Sequence, residues 1–508
     1  MSSPLVIGVD SSTTATKAIA FDATGCVVSE GRASIEMTNP KLGYFEQDPK
    51  DWWRSTATAL QGCLSGIDAE RVAGLSVSNQ RETLGVFGAD GEPVRPALLW
   101  LDERAREEVR DLAEQLGAEQ IHSITGRMPD LTPAVYRMLW ILRNEPDVAR
   151  SAAKFADVQS YLVHKLAGGP LRTGWPSADP LGVFDLQAKS WSAPILDALG
   201  ITAEKLPEAH PPGTTLGRVS ADAAAQTGLR AGTPVIAGGG DGQMAGLGTC
   251  CTSPERAYIN LGTAMVSGVW SPRYLHDRAW RTEIAAQGDG YILENCLRSG
   301  TFLVNWFVDK FVPGGRSDPD VYRRLEAEAS GLPIGSEGVM VLPYWSGVMD
   351  PHWDIDARGA ILGLSASHTP GHVYRAILEA ITLDQVYRTG VMEASMGEPI
   401  DHFVAIGGGA ASPLWRQMLA DASGKSVLIS STNEASALGA AMVAAAGAGH
   451  HPSIVDAAHA MAGETTEVVP NPDVADRYAA LLDIYGGLYA ATAETSRRLV
   501  SFAAGDQT

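Results

Sequence analysis

Cysteine is scarce and carries no pattern. Five occur in 508 residues, at Cys26, Cys63, Cys250, Cys251 and Cys296, with no C-x-x-C and no Cys/His ligand spacing. Neither a disulfide framework nor a structural zinc site is encoded, and a reduced, cytoplasmic protein is the expectation. Basic charge is also short: 39 Lys and Arg stand against 59 Asp and Glu, a formal net charge of −20 without any basic cluster. That excludes the usual electrostatic routes to nucleic acid or an anionic membrane. Long apolar runs are missing as well. The stretch from Leu438 to Ala448 falls well short of the roughly 20 residues a membrane span needs, and Asp10 interrupts the N-terminal apolar segment where a signal peptide needs continuity. In so acidic a chain an anionic ligand needs local help from a cation, helix N-termini and turn N–H groups.

What is present is ample apolar material, 45% hydrophobic against 19% charged residues, on a chain longer than the roughly 250–300 residues at which single cores stop growing. Two domains are expected, near 1–250 and 251–508. Two segments share a design. Val6-Ile7-Gly8-Val9-Asp10-Ser11-Ser12-Thr13-Thr14, running on through Lys17 to Phe21, and Ala257-Tyr258-Ile259-Asn260-Leu261-Gly262-Thr263-Ala264-Met265-Val266 each read as a strand, a tight polar turn and a returning strand. Each is later followed by a glycine run at the end of an apolar strand, Gly238-Gly239-Gly240-Asp241 and Gly407-Gly408-Gly409-Ala410. The repeated order implies a duplicated nucleotide-binding core.

Between these landmarks, helical patterns start at Pro49, over 101–125 and over 133–166, while Gly74 to Ser78 reads as a strand. Ser220 caps a helix that Gly228 stops, and Thr369-Pro370 and Ser412-Pro413 each open one. Alternating strands and helices in both halves predict an α/β fold.

Asp10 ends an apolar strand before a Ser/Thr turn. There a carboxylate can hold Mg2+ through water while turn N–H groups take phosphate oxygens; the alternative is that it merely caps a tight hairpin. Asp241 follows three glycines, so no neighbouring side chain blocks a substrate hydroxyl from it, and a general base fits that placement. The alternative there is a helix cap. Gly262 and Thr263 could donate to terminal phosphates, and Gly407 to Ala410 could let a flat base or ribose lie on bare backbone. The histidines His122, His164, His352 and His372 show no paired ligand spacing.

With these residues in view, the chain resembles the FGGY carbohydrate kinase family, in the actin and hexokinase ATPase-fold group, over essentially its whole length. Gly359-Ala360-Ile361-Leu362-Gly363-Leu364, then His372-Val373 and Ala376-Ile377-Leu378-Glu379, are similar to its C-terminal signature. The resemblance implies two ribonuclease-H-like domains around a central cleft and ATP-dependent phosphorylation of a sugar or polyol hydroxyl. It assigns ATP binding to Ser12, Thr13, Thr14, Lys17, Gly262, Thr263, Gly407, Gly408, Gly409 and Ala410, a Mg2+ site to Asp10, and the catalytic base to Asp241.

For the acceptor the resemblance divides. Asn79-Gln80-Arg81-Glu82-Thr83 and Trp100 are similar to the glycerol kinase pattern, whereas Asp241-Gly242-Gln243, Asn260 to Ala264 and Asp102 are closer to xylulokinases. The implied acceptor-binding set is Arg81, Glu82, Trp100, Asp241 and Gln243, with Asp179 as an outlying candidate. A ketopentose, D-xylulose first, is expected, with glycerol or another short polyol as the alternative. A nucleotide-binding regulator without sugar chemistry is the reading from another class. Homodimerisation stays open.

Overall fold

The computed structural model describes residues 3–504. Its first half is built on a six-stranded sheet: β1 (Leu5–Ser11), β2 (Ala15–Phe21), β3 (Val27–Ser34), β4 (Val72–Asn79), β5 (Thr215–Arg218) and β6 (Pro234–Gly240), in the order β5-β6-β4-β1-β2-β3. The second half carries β7 (Arg256–Leu261), β8 (Met265–Ser271), β9 (Arg281–Ile284), β10 (Tyr291–Leu297), β11 (His402–Ile406), β12 (Ser426–Ser430) and β13 (Thr465–Val468), in the order β9-β10-β8-β7-β11-β12-β13. The pairings repeat. β1 lies antiparallel to β2 and parallel to β4, as β7 does to β8 and β11, and the next pairs outward, β4 with β6 and β11 with β12, are again parallel.

The duplication is real, but the glycine runs do not mark equivalent places in it. Gly238 to Gly240 close β6, whose counterpart is β12, while Gly407 follows β11, whose counterpart is β4. Glycine runs report where backbone must be bare, and that need arises on different strands in the two halves.

Helices brace both sheets. Helix α1 (Pro49–Leu64) starts where the Asp48 carboxylate accepts the Lys50 N–H, and it buries Trp52, Ala59, Leu60 and Cys63 in the core of the first half. Helix α2 (Asp241–Gly248) leaves β6 directly. Helix α3 (Pro370–Met396) is the spine of the second half, burying Ile377 and Ile381. It carries part of the signature segment in a structural role: Glu379 pairs with Arg375 at 2.8 Å and accepts the Gly335 N–H at 3.1 Å. Helix α4 (Pro413–Ser423) opens on Ser412, whose hydroxyl accepts from the Trp415 N–H. Helix α5 (Ala435–Gly447) follows β12 as α2 follows β6.

Helices α2 and α5 cross between the halves, and α5 also lies on the first sheet, packing Ala437, Leu438 and Met442 with Val6, Ile19, Ile236, Met244 and Leu247. Backbones touch at the crossing. A Cβ on Gly439 would stand 2.0 Å from the Met244 carbonyl oxygen, one on Gly248 2.0 Å from that of Ala435, and one on Gly8 1.8 Å from that of Ala437. Among the described residues no helix is long and apolar enough to cross a membrane. Because no rotamer change moves a backbone carbonyl, Gly439→Ala must push α2 and α5 apart. We expect a loss of about 1–3 kcal/mol in urea denaturation; an unchanged midpoint would show that the helices can separate at no cost.

Candidate active site

Three neighbouring parallel strands, β1, β4 and β6, end side by side. In register, Asp10 faces Ser78 and Asn79 faces Gly240, so Asp10, Ser78 and the first residue of α2, Asp241, meet at the carboxyl edge of the sheet. That edge is where open α/β sheets hold ligands. The Ser78 hydroxyl donates to Asp10 at 3.0 Å. Burial at the strand end, reinforced by the Asp241 charge, pushes the Asp10 carboxyl up to about 7. Asp241 keeps 39% of its side-chain surface open. The packed cleft wall still raises its pKa, Arg81 holds it back, and Glu82 adds to the rise.

The first hairpin folds over this edge. The Ser12 hydroxyl donates to Ala15 O across the turn at 2.8 Å, and Gln47 donates to the Thr13 carbonyl at 2.6 Å. Trp100 Nε1 donates to the Thr13 hydroxyl at 3.0 Å while its indole stays 38% exposed, which ties an acceptor-binding candidate to a phosphate-binding one. Thr14 is exposed. Lys17 is engaged across the halves, 2.5 Å from Glu434.

In the second half, Gly262 and Thr263 form the β7–β8 turn, their carbonyls accepting from Thr301 and Gly300. Gly407 adopts φ +85°, and a Cβ there would strike Asn260 Oδ1 at 2.4 Å, so the second hairpin and the glycine run adjoin. Gly408 has open space on its Cβ side, Gly409 packs on Trp415 and Leu261, and Ala410 is buried. A small cluster of Ala245, Ile406 and Ala435 connects this edge to the crossing helices.

Arg81 joins the two halves electrostatically. Its Nε lies 3.1 Å from Asp241 Oδ1, and its Nη1 lies 2.6 Å from Glu283 and 3.1 Å from Glu294, both on second-half strands. Arg281 contacts Glu294 at 2.6 Å through Nε and Glu82 at 3.3 Å through Nη1. Arg127 contacts Asp179 at 2.7 Å, Glu283 at 3.0 Å and Glu82 at 3.5 Å. Tyr258 donates to Glu294. Burial alone would raise Glu294, but Arg281 and Arg81 hold it down to about 2. Asp179 goes the other way, to about 7, because burial and Glu283 outweigh Arg127.

Glu82 sits at φ +59° with its carbonyl held by Arg137 at 2.6 Å. Such a backbone conformation costs on the order of 1–3 kcal/mol and persists where surroundings enforce it. Gln243 is fully buried behind Asp241, its amide nitrogen donating to Pro176 O at 3.1 Å and Asp179 at 3.3 Å while its Oε1 has no partner. Asp179 is buried as well, accepting the Ile284 N–H at 2.7 Å. No motif in the sequence marks Arg127, Arg281, Glu283 or Glu294. The signal for them is charge inside apolar strands, as in Arg281-Thr282-Glu283-Ile284, where burial demands partners. Among the described residues no cluster of three His, Cys, Asp or Glu side chains could hold a metal ion. A Mg2+ carried largely by water and phosphates needs only one or two carboxylates, and Asp10 at the sheet edge fits that need.

Known proteins resemble the chain over nearly its whole length. Residues 5–248 match the N-terminal domain of the FGGY family of carbohydrate kinases and residues 257–448 its C-terminal domain. A xylulose kinase of Lactococcus lactis subsp. lactis is 30% identical, covering 98% of this chain and 99% of its own. A glycerol kinase of Shewanella sp. (strain ANA-3) is also 30% identical, covering 90% and 93% respectively. The crystal structure of xylulose kinase from Rhodospirillum rubrum superposes with a TM-score of 0.89 at 28% identity, over 97% of this chain and 99% of that one.

The Asp10 pKa sets a stability test. Unfolded, the carboxyl loses its proton around its ordinary 3.8, whereas the folded protein keeps it until about 7. Across that window rising pH weakens the fold, and the weakening is complete above it. Asp10→Asn should therefore melt higher than the parent at pH 8 by calorimetry, with the advantage shrinking toward pH 5. A lower melting temperature at pH 8 would contradict the raised pKa.

Proposed function

The chain belongs to the FGGY family of carbohydrate kinases, and on that premise we propose that it transfers the γ-phosphoryl group of ATP to a primary hydroxyl of a ketopentose, D-xylulose before others. The observation that carries the reading is the convergence of Asp10 and Asp241 at one sheet edge with Arg81 gripping Asp241 at 3.1 Å. Phosphoryl transfer needs little covalent help beyond position, charge neutralisation and a group to take the hydroxyl proton.

In this reading Asp241 accepts that proton. Burial raises its pKa from the ordinary carboxylate value, the direction that makes a carboxylate a better proton acceptor. Arg81 and Glu82 hold acceptor hydroxyls, and Trp100, bonded to Thr13, sets the acceptor beside the phosphate hairpin. Asp10 would hold Mg2+ through water, and the ion would neutralise phosphate charge in a cleft that is itself acidic. Ser12, Thr13, Thr14, Lys17, Gly262 and Thr263 line the phosphate side. The bare backbone at Gly407 to Gly409, with the N-terminus of α4 behind it, takes the adenosine side. Lys17 must loosen from Glu434 to reach phosphate.

Glycerol is the second reading, favoured by the Arg81-Glu82 pair and by the glycerol kinase among the relatives. A regulator without sugar chemistry would have no use for an acid-held arginine beside a part-exposed carboxylate. Asp241→Asn should lower kcat on the order of 10²–10⁴-fold in a coupled ADP-release assay, and a variant within threefold of the parent removes the base assignment. Ranking D-xylulose, D-ribulose, glycerol and erythritol by kcat/KM at constant ATP tests the acceptor; a preference for glycerol promotes the second reading.

A further inference from the structure

The outermost strands of the two sheets are unequal. Three are short: β5, β9 and β13 span four residues each, and β9 is buried. The fourth, β3, runs eight residues from Val27 to Ser34, and among the described residues it pairs only with β2, so its other side is a free edge. A long free edge is a template for another strand, which proteins block with proline, lysine or a covering segment. Neither residue type occurs in β3. A register shift leaves Val28 as an extra residue and bounds the regular stretch at Ser29.

The ladder to β2 determines which groups this edge offers. Ile35 donates its N–H to Thr14 O at 2.9 Å, and the register continues with Ala33 opposite Thr16, Gly31 opposite Ala18 and Ser29 opposite Ala20. Antiparallel pairs alternate between bonded and non-bonded, so these residues direct their main-chain groups to β2. The N–H and C=O of Glu30, Arg32 and Ser34 therefore point outward. A Cβ on Gly31 would strike the Ala59 carbonyl oxygen of α1 at 2.1 Å, so Glu30 and Arg32, on either side of it, stand on the face away from α1. Both are exposed. Among the described residues neither has an ion-pair partner within the chain.

We propose that β3 is a homodimer interface: a second copy of this chain adds its own β3 antiparallel across a two-fold axis at Gly31, joining the two six-stranded sheets into one. Pairing centred on Gly31 sets Glu30 opposite Arg32 of the partner subunit, and Arg32 opposite the partner's Glu30. All four residues point their main-chain groups outward, so each pair exchanges both N–H···O bonds while opposite charges meet on one face. The edge is complementary to itself, as an isologous interface requires. Moving the axis to Glu30 or to Arg32 keeps the hydrogen bonds but sets like charges face to face, so the charges fix the register. On the other face, Gly62 and Gly66 are exposed where the end of α1 passes Gly31 and Ser29, and they carry no side chain over the edge. Val27 and Val28, 52% and 42% exposed, add apolar surface at the start of the strand.

Sedimentation velocity of the full chain tests this. The parent should sediment as a dimer that dissociates on dilution. Glu30→Arg or Arg32→Glu alone sets like charges opposite each other in both pairs and should weaken association about 10–100-fold, whereas the double exchange Glu30→Arg/Arg32→Glu restores opposite charges and should dimerise as the parent does. The two single variants, mixed, should form a heterodimer, because one edge is then wholly basic and the other wholly acidic. Both side chains are exposed, so every variant should melt close to the parent. Hydrogen exchange on the parent needs no substitution: the Glu30 and Arg32 amides should exchange more slowly as protein concentration rises. A monomeric parent, a dimer that ignores the single reversals, or exchange at those amides that does not change with concentration overturns the proposal.

Discussion

The grip of Arg81 on Asp241 is the contact around which the cleft is organised. A carboxylate at a strand end has many rotamers and a solvated partner in water. Here it is held from one side by a guanidinium whose other arm is fixed by Glu283 and Glu294, 202 and 213 residues away in sequence. Those acids are themselves fixed by Arg281, Arg127 and Tyr258. A buried ion-pair network of this kind is weak evidence for stability, since desolvation offsets most of its attraction, yet losing one member leaves an uncompensated charge and costs about 3–5 kcal/mol. Its value lies in geometry: the Asp241 carboxylate, the proposed base, is oriented only when both halves are in place.

Two carboxylates with raised pKa values stand together at one sheet edge, an electrostatically costly arrangement. Asp10 and Asp241 repel each other, and Lys17, which could relieve Asp10, is shared with Glu434. The proposed function accounts for the tension. A cation and a phosphate chain brought together would satisfy the acids and the turn N–H groups at once.

Much of this cleft could be read from residue order. Asp10, Thr13, Asp241 and the Arg81-Glu82 pair stand at or just after strand ends, where a local motif and a topological position coincide, and the structure brings them to one edge. The two-sheet duplication was legible for the same reason. The glycine runs misled, because a bare backbone says nothing of which strand it follows. Gln243 carries a substrate-side expectation, but the partners that orient its amide nitrogen, Pro176 and Asp179, lie more than sixty residues away and no local pattern announces them. Arg127, Arg281, Glu283 and Glu294 acquire meaning only when the second half folds over the first, and no short-range pattern encodes that meeting.

The bare crossing of α2 and α5 has a mechanical corollary. Backbones in contact at Gly8, Gly248 and Gly439 leave no slack for sliding, so relative movement of the halves is confined to rocking about that point. It behaves as a fulcrum, and displacement grows with distance from it. A tilt about it moves the groups beside the crossing least and those at the outer mouth of the cleft most, so the mouth can widen while the sheet edges next to the crossing keep their shape.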